Sequence, residues 1–379
     1  MTAEEELYWL ALRMVPGLGV SNSLKLLRRF HTPQAILQAS RSELEASGLL
    51  GAVAQSIASG CSFEDAARQQ ELMKKQGARV VPFHDARFPP LLREIYDPPP
   101  GLFARGRLEL LASDCIGIVG TRRPTPYGSG VAERLGADLA QAGLTVVSGM
   151  ARGIDTAAHK GVLGCGGNTV AVLGCGVDVV YPSENRKLAS QIAEKGLVLS
   201  EFPMESPAYP QNFPVRNRII SGMSTGVLVV EGAQYSGSAI TARLAMEQCR
   251  EVFAVPGNIT SSASWGPNLL IKQGAKLVQD WNDVVTELPV EVRRRLIDAG
   301  KERLGVPAQG KLDTGTQEPV SATCRNLLEK LTFDRPIHLD ELIETLDIVS
   351  PSELIAALFE LEMMGLVRQL PGKNFVKVW

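Results

Sequence analysis

The chain has 379 residues, 45% of them hydrophobic and 21% charged, which is more than one ordinary core accommodates and excludes wholesale disorder. With 39 Lys+Arg against 41 Asp+Glu, the net charge of −2 excludes a generally basic surface, so any polyanion would have to be held at placed sites. The opening MTAEEELYWL is acidic where a signal peptide is basic and apolar. No apolar run approaches the ~18 residues of a membrane span, so a soluble, cytoplasmic protein with no membrane contact is expected. The six cysteines are scattered, with no Cys-x-x-Cys pair and no histidine at ligand spacing, so no metal site and no disulfide framework are expected.

Residues 1–62 are expected to form a small helical head. Trp9, Leu10, Leu12 and Val15, then Pro16-Gly17-Leu18-Gly19, then Leu24, Leu26, Leu27 and Phe30 read as helix, tight turn, helix. This resembles the helix-hairpin-helix (or SAM-like) element of DNA-associated proteins, in which glycine amides approach a phosphate. A bundle that merely packs on its neighbour and binds nothing accounts for the pattern as well and is the preferred reading. The second, weaker copy around Ser47-Gly48-Leu49-Leu50-Gly51 lacks basic residues, which favours packing. Between Phe63 and Arg107 a helix (Phe63 to Gln76), a strand (Arg79 to Pro82) and proline-rich segments interleaved with apolar residues predict an ordered collar that packs on the core C-terminal to it.

From Cys115 to about Val278 short apolar runs alternate with helical stretches. The runs are Cys115 to Val119, Leu144 to Val147, Thr169 to Leu173, Leu197 to Leu199, Gly226 to Val230, Glu251 to Val255 and Lys276 to Val278. Continuous apolar character means strands buried on both faces. Residues 63–285 are therefore expected to form an extended Rossmann-like α/β core with a doubly wound, mostly parallel sheet. Such sheets bind ligands beyond the carboxyl ends of their strands. The loops there carry glycine, small hydroxyls and arginine: Gly120-Thr121-Arg122-Arg123, Ser148-Gly149-Met150-Ala151-Arg152, Gly174-Cys175-Gly176, Glu231-Gly232, and Ser236-Gly237-Ser238. Glycine lets backbone amides approach an oxyanion, and several such loops at one sheet edge favour phosphate binding over a set of ordinary turns.

A dinucleotide cofactor needs G-x-G-x-x-G after the first strand, and a nucleoside triphosphate needs a Walker sequence. Neither is present, so no cofactor is expected. Arginine forks that grip phosphate and stack on bases suit a linear polyanion instead. Arg216 and Arg218 flank Asn217 at a helix start beside Phe213, a candidate stacking platform, and Tyr181 with Arg186 and Lys187 forms another aromatic and cationic group. Internal pairing with Glu201, Glu205 or Glu231 is the competing use of Arg216 and Arg218. Residues 115–285 hold 14 Lys+Arg against 13 Asp+Glu, a balance that can hide a basic groove. Asp155 and His159, four apart at a helix start, have no nucleophile beside them, and Asp155 reads as a cap.

The motifs Val119-Gly120-Thr121-Arg122, Ser148 through His159, Ala171 through Asp178, Phe213 through Gly222 and Ser236 through Arg243 closely resemble the DNA processing protein A (DprA, also called Smf) family. The resemblance runs through about Thr2 to Val278. It implies a single-stranded DNA binding protein, not an enzyme, that protects incoming strands and loads the RecA recombinase in natural transformation as a homodimer. The family's strand-binding positions carry over to Arg122, Ser148, Gly149, Lys187, Arg216 and Arg218. Together with Gly120, Thr121, Phe213, Asn217, Gly237 and Ser238 these make the expected DNA-binding set, with no catalytic residue among them.

Residues 286–319, charged and Gly/Pro/Thr-rich, are expected to be linker. Residues 320–379 are expected to form a winged helix, from helical patterns at Ala322 to Leu331, Leu339 to Leu346 and Pro351 to Met364 and strands at Leu366 to Leu370 and Asn374 to Val378. Ser350, Pro351 and Gly365 delimit its third helix. This segment carries 6 Lys+Arg against 9 Asp+Glu, so a protein contact or self-association is expected of it rather than duplex reading. The rival class is a nucleotide-processing enzyme on a related core, such as a phosphoribohydrolase. Its Pro-Gly-Gly-x-Gly-Thr turn is absent from Glu231 through Ser238.

Overall fold

The apolar runs do become strands stacked in register. The computed structural model describes residues 1–303 and, beyond them, 326–328, 330–331, 337–345, 353–355, 357–358, 361, 367–370 and 372–377. Its main sheet contains β1 (Ala78–Pro82), β2 (Gly101–Gly106), β3 (Cys115–Val119), β4 (Thr145–Ser148), β5 (Thr169–Leu173), β6 (Leu197–Ser200), β7 (Gly226–Val229), β8 (Glu251–Ala254) and β9 (Lys276–Leu277), in the order β1-β2-β6-β5-β4-β3-β7-β8-β9. From β6 to β9 all pairings are parallel. The chain winds from β3 outward to β6 and returns to β7 on the other side of β3. That reversal is the switch point at which an open α/β sheet leaves a crevice.

Every residue of β3, β4 and β5 is buried, because helices cover both faces. On one face lie Pro126–Gln141 and Ile154–Gly164, and on the other Asn212–Gly222, Gly237–Glu247 and Trp265–Lys272. The first two approach so closely that a Cβ on Gly161 would overlap the Glu133 carbonyl. Only glycine permits that approach.

The collar is more than packing: Gly101–Gly106, not expected as a strand, pairs antiparallel with β6 and carries β1 with it, so the collar extends the sheet by two strands. The head is less separate than expected. Trp9, Leu10, Leu12 and Val53 share one core with Met73, Phe103, Leu173 and Val198, so the helices before Phe63 pack directly on the sheet side of the molecule. The expected linker needs correction as well. Val290–Arg303 is a helix whose Val292 and Leu296, spaced four apart, are buried with Leu139 and Leu288, and Arg295 pairs with Asp114 at 2.6 Å. Its net polarity masked a two-residue apolar stripe.

The chain divides into two units, Met1–Ala308 and Gln309–Trp379. In the second, β10 (Ile337–His338), β11 (Val367–Leu370) and β12 (Asn374–Lys377) form an antiparallel sheet in the order β10-β12-β11, with Gln369 opposite Phe375. The helix Leu339–Thr345 comes directly after β10, and Leu327, Leu342, Leu358 and Phe375 share its core. This is the expected winged-helix layout with one added short strand. The expected helix boundaries at Ser350, Pro351 and Gly365 lie outside the described residues. Among the described residues no helix is long and apolar enough to cross a membrane.

Replacing Gly161 with alanine should lower unfolding stability by about 1–3 kcal/mol, as overpacking does. Urea denaturation of the two proteins checks it, and equal midpoints with equal slopes would contradict the close helix contact.

Candidate nucleic-acid interface

The carboxyl ends of β3, β4, β5 and β7 surround a cleft of about 540 Å³. Its walls are built by the loop after β3 (Gly120, Thr121, Arg122), by Ala151 and Asp155 after β4, by Tyr181 after β5, by the helix Asn212–Gly222, and by Ser236, Gly237 and Ser238 after β7.

The loop after β3 is fixed from below. The Thr121 amide donates to the Glu231 carbonyl at 2.7 Å. The Thr125 amide and hydroxyl donate to the Glu231 carboxylate at 2.9 and 2.5 Å. Thr125 also caps the next helix, accepting from the Gly128 amide at 3.1 Å, with Pro126 at its first position. Glu231, buried to 2% exposure, thus joins the ends of β3 and β7 across the switch point.

Arg216 forms the floor. Its side chain is buried, and its Nη1 donates to the Gly149 carbonyl at 2.6 Å and to the Val172 carbonyl, while Nε donates to Asn217 Oδ1 at 3.3 Å. A Cβ on Gly149 would sit inside the guanidinium. Burial pushes the Arg216 pKa down and the nearby Asp155 carboxylate pulls it back up. Burial likewise pushes the Asp155 carboxyl above its usual range, opposed first by Arg216. Asp155 accepts from the Gly149 and Ala151 amides at 3.1 and 3.3 Å. It therefore caps the loop before its helix rather than the helix itself, a variant of the capping expected from sequence.

Above this floor lies an aromatic and cationic stack. The Phe213 ring centroid is 5.3 Å from the Arg122 guanidinium carbon and 5.9 Å from that of Arg216. Tyr181 lies against the same ring, with centroids 5.4 Å apart and planes at 33°. Arg122 is exposed and forms no ion pair among the described residues, whereas Arg152 is held by Glu184 at 2.7 Å. An exposed guanidinium and two accessible rings beside small hydroxyls offer a phosphate contact and base-stacking faces together.

The expected set divides accordingly. Gly120, Thr121, Arg122, Phe213, Arg216, Asn217, Gly237 and Ser238 line the cleft, and Gly149 opens on the adjoining hollow beside Arg122 and Tyr181. Ser148 lies underneath, fully buried and donating to the Ile118 carbonyl at 2.6 Å. Lys187 is exposed on the helix Arg186–Lys195, outside the cleft walls. Arg218 points away from the cleft into the molecule. It pairs with buried Glu201, and with Asp97 at 3.4 Å, so the internal pairing weighed for it is what the fold uses. Burial raises the Glu201 pKa, and Arg218 and then Arg13 oppose that. Arg13 itself donates to the Glu201 carbonyl at 3.1 Å.

Two contributors were not evident from sequence: Thr125 with Glu231 as a latch, and Tyr181 as the ring partner of Phe213. Thr125 before Pro126 was a legible cap signal, but its pairing with Glu231 spans 106 positions. His159 is fully buried. Thr169 Oγ1 donates to the Val146 carbonyl at 2.8 Å and so accepts from His159 Nδ1 at 2.7 Å. Nδ1 thus carries the proton, and Nε2 is without a partner among the described residues. Burial, with Arg216 adding, pushes the His159 pKa down to about 3. It is a neutral core group.

The chain has known relatives. Residues 79–289 match the family model of DNA recombination-mediator protein A, and residues 313–373 match that of the DprA winged helix domain. The chain belongs to the DNA recombination-mediator protein A family. The DNA processing protein DprA of Bacillus subtilis is 45% identical over 57% of this chain and 73% of its own length. Protein Smf of Synechocystis is 34% identical over 99% of both chains. Among solved structures, DNA processing protein A from Streptococcus pneumoniae aligns with a TM-score of 0.67 at 36% identity, covering 76% of this chain and 99% of that one. The Helicobacter pylori protein, whose structure was described for its single-stranded DNA binding mode, aligns with a TM-score of 0.51 at 30% identity, covering 58% and 96%. The family match over 79–289 spans the cleft and all its walls.

The buried groups lead to two measurable outcomes. Because the folded His159 pKa lies below its unfolded value of ~6.5, the unfolded chain takes up a proton first. Stability should then fall as pH drops from about 6.5 toward 3, with this residue contributing up to about 1.4 kcal/mol per pH unit. Urea midpoints measured down to pH 4.5 should decline less steeply for His159→Asn. Arg218→Met should cost about 3–5 kcal/mol by leaving Glu201 buried and unpaired, read by the same denaturation.

Proposed function

We propose that the protein binds single-stranded DNA in this cleft and acts as a recombination mediator in natural transformation, protecting incoming strands and loading the RecA recombinase as a homodimer in the cytoplasm. The observation that carries the binding site is the Phe213 ring set between Arg122, Arg216 and Tyr181 at the switch point. A duplex keeps its bases stacked inside, whereas a single strand can lay them on such rings. Family membership and the single-stranded DNA binding mode described for the Helicobacter pylori relative support the same ligand.

Within this reading Arg122 takes phosphate, Phe213 and Tyr181 take bases, and Gly120, Thr121, Asn217, Gly237 and Ser238 line the path. Arg216, Gly149 and Ser148 hold the floor, Arg218 braces the helix that bears Phe213, and Lys187 contacts the strand outside the cleft. We assign the site no catalytic step. A phosphoribohydrolase needs its glycine-rich phosphate turn after β7, and Glu231 here is instead latched to Thr125. The acidic C-terminal winged helix is assigned a protein contact.

Oligothymidylate should bind more tightly than duplex of equal length, with affinity falling as salt rises. Arg122→Ala should make the log–log salt dependence shallower by about 0.7. Phe213→Leu should weaken binding by about 1–3 kcal/mol with the salt slope unchanged. Fluorescence anisotropy at several salt concentrations measures both, and parent-like binding by the two variants together would overturn the assignment.

A further inference from the structure

One wall of the cleft is built by Ser236–Ser238, and the chain next to the cleft loops carries exposed rings that do not line it. Tyr235 is 90% exposed and Tyr127 52%. Tyr127 is the second residue of the helix Pro126–Gln141, and Tyr235 lies in the loop after β7. The start of that helix rests on Glu231 through Thr125, and the Tyr127 hydroxyl donates to the Pro256 carbonyl, just past β8, at 3.0 Å. The loop carrying Tyr235 is fixed at its base, where the Gly232 amide donates to the Ala263 carbonyl at 2.6 Å and the Gly232 carbonyl accepts from Gly266 at 2.8 Å. Arg123 is exposed beside Arg122 and forms no ion pair among the described residues. Its own amide is turned inward to Thr121 Oγ1 at 3.2 Å.

Resting on the reading of the cleft as a single-strand site, we propose that the bound strand continues past Ser236 onto a second platform, with Tyr127 and Tyr235 stacking bases and Arg123 meeting the intervening phosphate. Two observations select a single strand over a protein partner. Tyr235 adjoins Ser236 and Arg123 adjoins Arg122, and Ser236 and Arg122 are both cleft residues. The cation of the patch is unneutralised, as a polyanion requires. Sequence-tolerant binding of single strands is built from successive ring-and-cation units of this kind.

The test measures full-length protein against oligothymidylates of about 4 to 20 nucleotides. The Tyr127→Leu/Tyr235→Leu double variant should bind the shortest strands as the parent does and lose the affinity gained on lengthening, by about fivefold or more for each ring removed. Tyr127→Phe/Tyr235→Phe should keep that gain, because the rings remain. Tyr235→Ser, altering a side chain that is almost fully in solvent, gives the same reading should the double variant not fold. A double variant that matches the parent at every length overturns the proposal. So does one that loses affinity equally at all lengths while sedimenting as a smaller species, which would make the patch a contact between copies. A Phe213→Leu variant with parent-like binding of the shortest strands overturns the cleft reading instead, and the extension with it.

Discussion

The buried guanidinium of Arg216 is the constraint on which the cleft depends. One side chain from the helix Asn212–Gly222 reaches across to the carbonyls of Gly149 and Val172, so it ties that helix to the ends of β4 and β5. The charge is tolerable in the interior only because Asp155 faces it and because its donors are satisfied by backbone carbonyls. A methyl placed at position 149 would leave the guanidinium no seat. Asp155 in turn holds the loop amides of Gly149 and Ala151. The floor is a closed set of mutual requirements rather than a collection of separate contacts.

That arrangement assigns the arginines two different kinds of work. Arg216 and Arg218 spend their charge inside the protein, on carbonyls and on Glu201, and fix the helix that presents Phe213. Arg122 and Arg123 are exposed and keep theirs for the solvent side. A net charge of −2 is compatible with anion binding under such a division, because affinity for phosphate depends on the few cations left unneutralised at one edge. The whole-chain balance says little about the sign of the field over the strand ends.

The sheet, its parallel order and the winged-helix layout were legible in the sequence, since doubly buried strands leave continuous apolar runs such as Thr169 to Leu173. The positions gathered at the cleft were legible too, because glycine and arginine cluster after those runs. That Arg216 and Arg218 both turn inward was not. The carbonyls of Gly149 and Val172 that take the one, and Glu201 and Asp97 that take the other, are not its neighbours in sequence. The strand Gly101–Gly106 escaped notice for a related reason: its pairing with β6 is set almost a hundred positions away, and the prolines around it mimic a loop. The helix Val290–Arg303 was hidden because its sequence is mostly charged and only Val292 and Leu296 mark its buried side.

The latch between Thr125 and Glu231 has a kinetic meaning. Both ends of the loop after β3 are already fixed to the sheet through hydrogen bonds that do not involve a ligand. An incoming chain therefore meets a surface whose ordering entropy was lost when the protein folded, not when the complex forms. Association is then governed by encounter and orientation rather than by loop closure. On the proposed reading, the speed with which a strand is captured is set in advance by one buried carboxylate.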